Sequence, residues 1–252
     1  MTVPHFENSE PLTTRFVDGF FMKTHEVTCG EYKEFLTDLY QHGEICRYGE
    51  FHPDVDGPDF LNGAPVHAPY DYKGPRFDFP DGEARANDDF FSDEQAIHFL
   101  VYVDADHYVQ WLNEKARAAG ESWVYSLPTS DQWEKAARGV DGRFFTWGNE
   151  FLWDLSVNSR SRSTGVPMAP GRFDTDRSPY GILDLVGNVR EFCSDFDPVT
   201  ERHLVRGGDE SSYEPDNFRL AARRGAIVRE RHWDFGIRLV RTRRPIARDP
   251  SQ

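Results

Sequence analysis

The chain has 252 residues and a formal net charge of −14, with 43 acidic against 29 basic residues. Proteins that follow the phosphates of nucleic acids usually carry a basic face, so this charge balance argues against a nucleic-acid partner. Aromatic residues make up 14% of the chain, which is typical of a folded domain with a ring-rich core and not of a disordered segment.

The cysteines and the hydropathy pattern predict the compartment. Cys29, Cys46 and Cys193 contain no short-spaced pair, so neither a zinc knuckle nor a disulfide framework is indicated. The sequence shows no long apolar run and no signal-peptide pattern. We therefore expect a cytoplasmic protein with no membrane partner.

The first elements follow a polar N-terminal arm at residues 1–15. Phe16–Met22 predicts a short strand broken near Gly19. Thr28 and Glu31 have the spacing of a capping box, in which each side chain bonds the other residue's backbone N–H. Apolar residues follow at helical spacing and predict a first amphipathic helix. They are Tyr32, Phe35, Leu36, Leu39 and Tyr40.

Residues 43–92 form a long insertion rich in proline, glycine, aspartate and aromatic residues. Acidic residues and histidines in it raise the alternative of a metal cluster, although no tight ligand spacing such as His-x-x-x-His occurs. They are His52, Asp54, Asp56, Asp59, His67, Asp71 and Asp78. A solvated loop is the preferred interpretation.

Two further helices are predicted. His98–Val103 predicts a strand that leads to Asp104 as the N-cap of the second helix. Thr129 and Gln132 form a second capping box, which begins the third helix. A glycine ends each of these helices, Gly120 and Gly139. Short aromatic strands follow, so we expect a single α+β domain over residues 16–244 and a tail at 245–252.

Several short motifs, which follow one another along the chain in a fixed order, resemble those of a known family. They are Glu26-Val-Thr28, Leu127-Pro-Thr129, Trp147-Gly-Asn149, Ser178-Pro-Tyr-Gly181, Gly187-Asn-Val189, Arg206-Gly-Gly208 and Gly236-Ile-Arg238. This set resembles the formylglycine-generating enzyme, or sulfatase-modifying factor, domain family. The resemblance implies a C-type-lectin-like α+β fold with two or three helices, short antiparallel strands and much irregular structure. Residues 134–145 look most like bacterial copies that accompany serine/threonine kinases, which adds such a kinase to the candidate partners.

The family's oxidase activity depends on two cysteines that follow the Arg-Gly-Gly motif and bind copper. Counting forward from that motif places these positions at Ser212 and Asn217, and counting back from the next arginine motif places them at Glu210 and Pro215. Neither pair supplies the thiolates that copper requires. The resemblance therefore implies no catalytic residue and no copper.

A structural calcium site is the cofactor that the resemblance implies. Its ligands would be two carboxylates and two backbone carbonyls, from Asp184, Gly187, Val189 and Glu191. Calcium accepts six to eight oxygens in flexible geometry, which such a loop provides. The alternative is that the two acids pair with arginines such as Arg190. Asn158 would begin a second calcium site.

Other chemistry has weaker support. A hard metal in place of copper could use Asp209, Glu210, Glu214 and Asp216. A Ser/His/Asp trio drawn from Ser211 or Ser212 and His203 or His232 is discounted, because no nucleophile-elbow glycines frame the serine. Several of the C-terminal arginines are expected to pair with the excess carboxylates and not with a ligand.

Recognition is the function that we predict from sequence. Side chains of hot-spot type crowd the segment between Arg206 and Gly236. The predicted ligand-binding residues are Tyr213, Glu214, Asp216, Arg229, Arg231, His232 and Trp233. Tyr213 and Trp233 could instead fill the core. We expect a non-catalytic domain that binds a protein or small-molecule ligand; the alternative is a metal-dependent oxidase or hydroxylase with non-cysteine ligands.

Overall fold

The computed structural model describes residues 9, 13–42, 71–73, 76–78, 92–161, 167–227, 232 and 234–244. The helices are α1 Cys29–Gln41, α2 Tyr102–Ala118 and α3 Ser130–Arg138, and 3-10 turns cover Trp153–Leu155 and Pro215–Phe218. The strands are β1 Phe21–Met22, β2 Asp71–Lys73, β3 Arg76–Asp78, β4 Trp123–Ser126, β5 Arg190–Asp197, β6 Arg202–Arg206, β7 Arg224–Ile227, β8 Phe235–Gly236 and β9 Val240–Arg243. The predicted α+β class is confirmed.

Both predicted capping boxes are present. The Thr28 N–H donates to Glu31 at 2.8 Å, and the Glu31 N–H donates to the Thr28 hydroxyl at 3.2 Å. The same exchange joins Thr129 and Gln132 at the start of α3. Gly139 caps the end of α3 with a φ of 67°, a left-handed conformation that a glycine adopts without steric cost. Local side-chain chemistry therefore sets these helix boundaries.

The prediction of a strand over His98–Val103 is wrong. Helix α2 already begins at Tyr102, and Leu100 makes only an isolated bridge to His232. Asp104 is not the N-cap but the third residue of the helical segment, and its carboxylate accepts the Val101 N–H at 3.1 Å. A short apolar run has no periodicity that separates a strand from a buried connection. The first strand is also shorter than predicted, because within residues 16–22 only Phe21–Met22 pairs with another strand, β9.

Three sheets organise the described residues. One has the order β1-β9-β4, and a second is the β2-β3 pair. The third has the order β7-β6-β5-β8, in which β5 and β8 run parallel, an exception to the predicted antiparallel strands. The first sheet joins the N-terminal strand to the C-terminal strand β9, so it ties together the two ends of the described domain.

The core consists of two hydrophobic clusters. In the first, rings of α1 and α2 pack with centroid separations of 5.3 to 5.6 Å, as between Tyr32, Phe35 and Trp111. The second surrounds Trp133 of α3 and includes Cys193 and Phe218. Large rings therefore supply much of the buried area, as the composition indicates. Cys29 and Cys193 are buried. Cys46 and most of the 43–92 insertion, with the acids and histidines that it carries, lie outside the described side chains.

Candidate functional site

A turn at residues 184–189 joins two buried polar clusters. Asp184, Gly187 and Asn188 have φ values of 56°, 116° and 63°, so the backbone turns through left-handed conformations. A Cβ at Gly187 would lie 1.9 Å from the carbonyl oxygen of Val157, which only glycine avoids. The Asn188 side chain accepts the Met168 N–H at 2.7 Å and donates to Glu26 at 3.1 Å. The turn then enters β5 at Arg190.

The first cluster surrounds Arg238, and we call Glu26, Asp184, Glu191 and Arg238 the Arg238 cluster. The Arg238 guanidinium is completely buried and donates to Glu191 at 2.7 and 2.9 Å. It also donates to the backbone carbonyls of Leu183 and Asp184. The Trp133 indole N–H donates at 2.5 Å to Glu191 Oε2, which also accepts from Arg238 Nε. Both oxygens of Glu191 are therefore engaged.

The Arg238 cluster holds more acids than its single guanidinium can neutralise. Glu26 is fully buried, and one of its oxygens lies 3.7 Å from Arg238 without a hydrogen-bond partner. Burial, reinforced by Asp184, raises the pKa of Glu26 well above its usual range. Burial also raises the pKa of Asp184 to about 6 and that of nearby Asp176 to about 7. Protons on these carboxyls would remove the excess negative charge.

The residues present fit calcium poorly at this place. A cation bound by Glu191 and Asp184 would compete with Arg238, which already contacts the Glu191 carboxylate and the Asp184 carbonyl. One Asp184 oxygen accepts the Gly171 N–H at 2.5 Å. The alternative of an arginine partner is supported for Glu191, whose carboxylate pairs with Arg238 and not with Arg190, while Asp184 meets Arg238 through its backbone carbonyl. Gly187 and Val189 lie in the same turn, and the calcium ion stays a prediction.

Asn158, the predicted start of a second calcium site, is used locally. Its amide donates to the carbonyls of Trp153 and Ser156 at 2.7 and 2.9 Å, and its side-chain oxygen accepts the Arg160 N–H at 2.9 Å. The side chain thereby closes the loop after the first 3-10 turn.

The second cluster surrounds Arg190, and we call Arg190, Asp209, Ser212, His232 and Asp234 the Arg190 cluster. Arg190 pairs with Asp209 at 2.6 Å and with Asp234 at 3.0 Å, and it donates to the Ser212 hydroxyl at 3.1 Å. Ser212 in turn donates to Asp209 at 2.6 Å, and the His232 ring contacts Asp234. Side chains of the Ser/His/Asp trio that was discounted from sequence thus lie in one network. Arg190 lies between Ser212 and the His232–Asp234 pair.

Charge in the Arg190 cluster is distributed unevenly. Burial opposes ionisation of Asp209, but Arg190 and the serine hydroxyls hold the pKa of Asp209 below its usual range. Burial and the Asp209 charge raise the pKa of Asp234. Glu210 is 3% exposed, and neither of its carboxyl oxygens has a hydrogen-bond partner. Burial and Asp209 raise its pKa to about 9, so Glu210 carries a proton at neutral pH.

The positions of the family's cysteine pair hold different chemistry. Ser212 is 6% exposed and belongs to the Arg190 cluster, whereas Asn217 is half-buried in the second 3-10 turn. The second alignment points to buried Glu210 and exposed Pro215. None of these side chains is a thiol.

The hard-metal set predicted from sequence is not brought together. Asp209 and Glu210 are buried, whereas Glu214 and Asp216 are exposed and Asp216 lies 3.4 Å from Arg219. Among the described residues, no group of three or more histidine, cysteine, aspartate or glutamate side chains is placed to hold a metal ion.

The predicted recognition face is described in part. Tyr213 is 74% exposed, so the alternative that it fills the core is wrong, and Glu214 and Asp216 are exposed beside it. The His232 ring is held by Asp234 within the Arg190 cluster. Three of the predicted ligand-binding residues lie outside the described part of the chain: Arg229, Arg231 and Trp233.

Comparison with known families decides the assignment that these motifs suggest. The model of the sulfatase-modifying factor enzyme 1-like domain matches residues 1–243. The chain belongs to this family. It is 27% identical over 213 residues to the formylglycine-generating enzyme of Mycobacterium tuberculosis, covering 75% of this chain and 68% of that protein. The mouse formylglycine-generating enzyme is 25% identical over 203 residues, which span 71% of this chain but only half of the mouse protein.

Other relatives of this family extend the comparison. A bovine protein named inactive C-alpha-formylglycine-generating enzyme 2 is 32% identical over 96 residues, 34% of this chain and 31% of its own length. The fold resembles PvdO from Pseudomonas aeruginosa, with a TM-score of 0.60 at 20% identity over 88% of this chain and 80% of PvdO. It also resembles CarF, with a TM-score of 0.59 at 17% identity over 90% of this chain and 86% of CarF. These likenesses show the fold.

No helix in the described residues is both long and apolar enough to span a bilayer.

Sequence reasoning identified the motifs of the sulfatase-modifying factor family but missed what several of their residues do. Glu26 and Arg238 stand in the recognised motifs Glu26-Val-Thr28 and Gly236-Ile-Arg238, yet neither was assigned to a site. Their signal was available, because a charged residue inside an otherwise apolar motif needs a buried partner. Glu210 carried no such signal in the sequence.

Proposed function

We propose that this chain is a sulfatase-modifying-factor-like domain that binds a protein or small-molecule ligand and does not oxidise cysteine. The observation that carries the proposal is the use of Ser212. In one of the two alignments of the family's copper-binding cysteines, this chain has at that position a hydroxyl held between Arg190 and Asp209. A hydroxyl in a charged network does not replace a soft thiolate ligand.

The recognition face follows directly after this serine. Tyr213 projects into solvent and is flanked by two exposed carboxylates, Glu214 and Asp216. Exposed tyrosine supplies large contact area at low entropic cost, which makes it a frequent hot spot. The buried Arg190 cluster beneath the face fixes the backbone that presents Tyr213, so the surface is preorganised for binding.

The partner, ion and compartment are further parts of the proposal. Residues 134–145 resemble kinase-associated bacterial copies, and this resemblance supports a serine/threonine kinase as a partner. Calcium rests on the family resemblance alone, and Arg238 opposes it by already bonding one expected ligand, the Glu191 carboxylate. A cytoplasmic location rests on the sequence composition alone.

The alternative of a metal-dependent oxidase or hydroxylase has one supporting observation. Glu210 keeps both carboxyl oxygens without a partner inside a cluster of acids. It would need further ligands, and within the part of the chain that the structure describes no suitable group of three converges. Recognition is therefore the better supported function.

Metal analysis combined with oxygen uptake tests the loss of catalysis. The purified protein is incubated with copper(I), and separately with iron(II), together with a cysteine-containing peptide. We expect no stoichiometric copper or iron and no peptide-dependent oxygen consumption. Stoichiometric metal with oxygen uptake would establish the oxidase instead.

Affinity capture tests the recognition face. The immobilised domain is exposed to lysate, and bound proteins are identified and compared with those bound by Tyr213→Ala and by Tyr180→Ala. Tyr180 is a matched control because it is another exposed tyrosine, at 55%. We expect a partner that wild type and Tyr180→Ala retain and Tyr213→Ala loses. Equal capture by all three proteins would place recognition elsewhere.

A further inference from the structure

A second surface with ligand-binding character lies on the β1-β9-β4 sheet. The register sets Trp123 of β4 opposite Arg243 of β9, and Tyr125 opposite Arg241. Phe21 of β1 also lies opposite Arg241. Residues directly opposite each other on neighbouring strands project from the same face of the sheet. Three aromatic and two cationic side chains therefore share one face.

The arginines of this face are stacked on the rings. The Arg241 guanidinium lies 4.5 Å from the Trp123 ring centroid and 5.8 Å from that of Phe21, and the Arg243 guanidinium lies 5.5 Å from Trp123. Phe21 meets Trp123 edge to face at 5.4 Å. The rings orient the two cations, and each guanidinium presents N–H donors in a rigid fork that suits carboxylate and phosphate.

Neither cation is neutralised within the described part of the chain, where Arg241 and Arg243 have ring contacts but no ion pair or side-chain hydrogen bond. Other arginines of the same chain, such as Arg190 and Arg238, are paired with carboxylates. In a protein with a net charge of −14, two adjacent unpaired guanidiniums form a local positive site that favours anions.

An open pocket of about 450 Å³ lies at this site. It is lined by Glu121, Ser122, Trp123, Tyr125, Arg241 and Arg243. The volume falls within the range of small-molecule sites. Because both guanidiniums line this one pocket, a single ligand can contact both. Glu121 also lines the pocket but forms no ion pair with either arginine among the described residues, so both guanidiniums stay available to a ligand.

We propose that this pocket binds a small dianion that carries either a phosphate group or two carboxylates. The two arginine forks hold the anionic oxygens, and the Ser122 and Tyr125 side chains at the pocket wall supply hydroxyls for further hydrogen bonds. The site is separate from the Arg190 cluster and from Tyr213, since it is built on a different sheet. It does not depend on the function proposed for the C-terminal face.

Titration calorimetry at low ionic strength, with inorganic phosphate and separately with succinate, tests the site. Wild type should bind at least one probe with one-to-one stoichiometry. The probe that binds more tightly shows whether the ligand carries a phosphate group or two carboxylates. Arg241→Gln and Arg243→Gln should each weaken that binding by about tenfold or more, since each removes one charged fork. Arg243→Lys keeps the charge but loses the fork, and should weaken it less.

Arg224→Gln is the matched control. Arg224 is also exposed, lies on β7 of the other sheet, and has no ion pair among the described residues. The affinity of Arg224→Gln for the probe should stay within twofold of the wild-type affinity. Absence of binding for both probes, unchanged binding by both pocket variants, or equal loss in the control would each overturn the proposal.

Discussion

Replacement of Arg238 by methionine tests the central structural claim, that an arginine holds the turn and β9 together. Arg238 is fully buried and bonds Glu191 and the carbonyls of Lys23, Leu183 and Asp184. Methionine replaces the aliphatic stem of arginine but has no charge and no donors. In Arg238→Met, Glu191 keeps only the Trp133 N–H as a described side-chain partner.

The magnitude follows from the burial of this pair. Removing one partner of a buried ion pair costs about 3–5 kcal/mol, because the remaining charge is left uncompensated in a low-dielectric interior. For a domain of this size, one kcal/mol shifts the melting temperature by about 2–4 °C. Arg238→Met should therefore melt roughly 8–16 °C below wild type, taking about 4 kcal/mol as the loss.

Thermal unfolding followed by circular dichroism measures this loss. The double variant Glu191→Gln/Arg238→Met should recover part of the stability, because the unpaired charge is removed as well. Arg224→Met, at an exposed arginine, should stay within about 2 °C of wild type. If Arg238→Met melts as close to wild type as this control does, the ion pair does not hold the fold.

The remaining predictions concern cations, protons and the backbone. EDTA should leave the melting temperature unchanged, because Arg238 holds Glu191; a drop that Asp184→Ala abolishes would establish calcium instead. The folded-state pKa of Asp176, about 7, lies above its ordinary value of 3.8, so the protonated form contributes stability that is lost as pH rises through 7. Melting temperature should fall between about pH 4 and pH 7, and Asp176→Asn should flatten that slope; an equal slope in both proteins would contradict the assignment. Glu210→Gln should melt near wild type at pH 7, since Glu210 is already neutral there, and a large loss would mean that it is ionised. Gly187→Ala should cost about 3 kcal/mol or more in urea unfolding, because its Cβ would meet a backbone oxygen at 1.9 Å, and a neutral effect would contradict that contact.

The sequence predicted the features that arise from neighbouring residues. The box at Thr129 and the glycine stop at Gly139 depend on contacts within a few residues, so their spacing suffices. The strand predicted before Tyr102 was wrong for the complementary reason, because the conformation of that segment is set by burial against distant segments. Family resemblance, and not periodicity, supplied the fold itself.

Residue spacing alone could not predict the Arg238 cluster or the Arg190 cluster. Arg190 and Asp234 are 44 residues apart, and Glu191 and Arg238 are 47 apart. With many arginines and acids in the chain, sequence separation alone does not select a partner. The topology selects it, because β8 pairs in parallel with β5 at this register and brings Asp234 and Arg238 to the start of β5.

The adjacent residues Arg190 and Glu191 explain why loss of the cysteine pair and retention of the fold are compatible. Successive side chains of a strand point to opposite faces, so Arg190 reaches Asp209 and Asp234 while Glu191 reaches Arg238. The first set of contacts fixes the segment that would carry a cysteine, and it does so through Asp209 and Ser212, with oxygen chemistry. The scaffold that presents Tyr213 is thus stabilised without a metal-binding thiolate. The proposed recognition function requires such an arrangement, because oxygen contacts and not a metal hold the backbone around Tyr213.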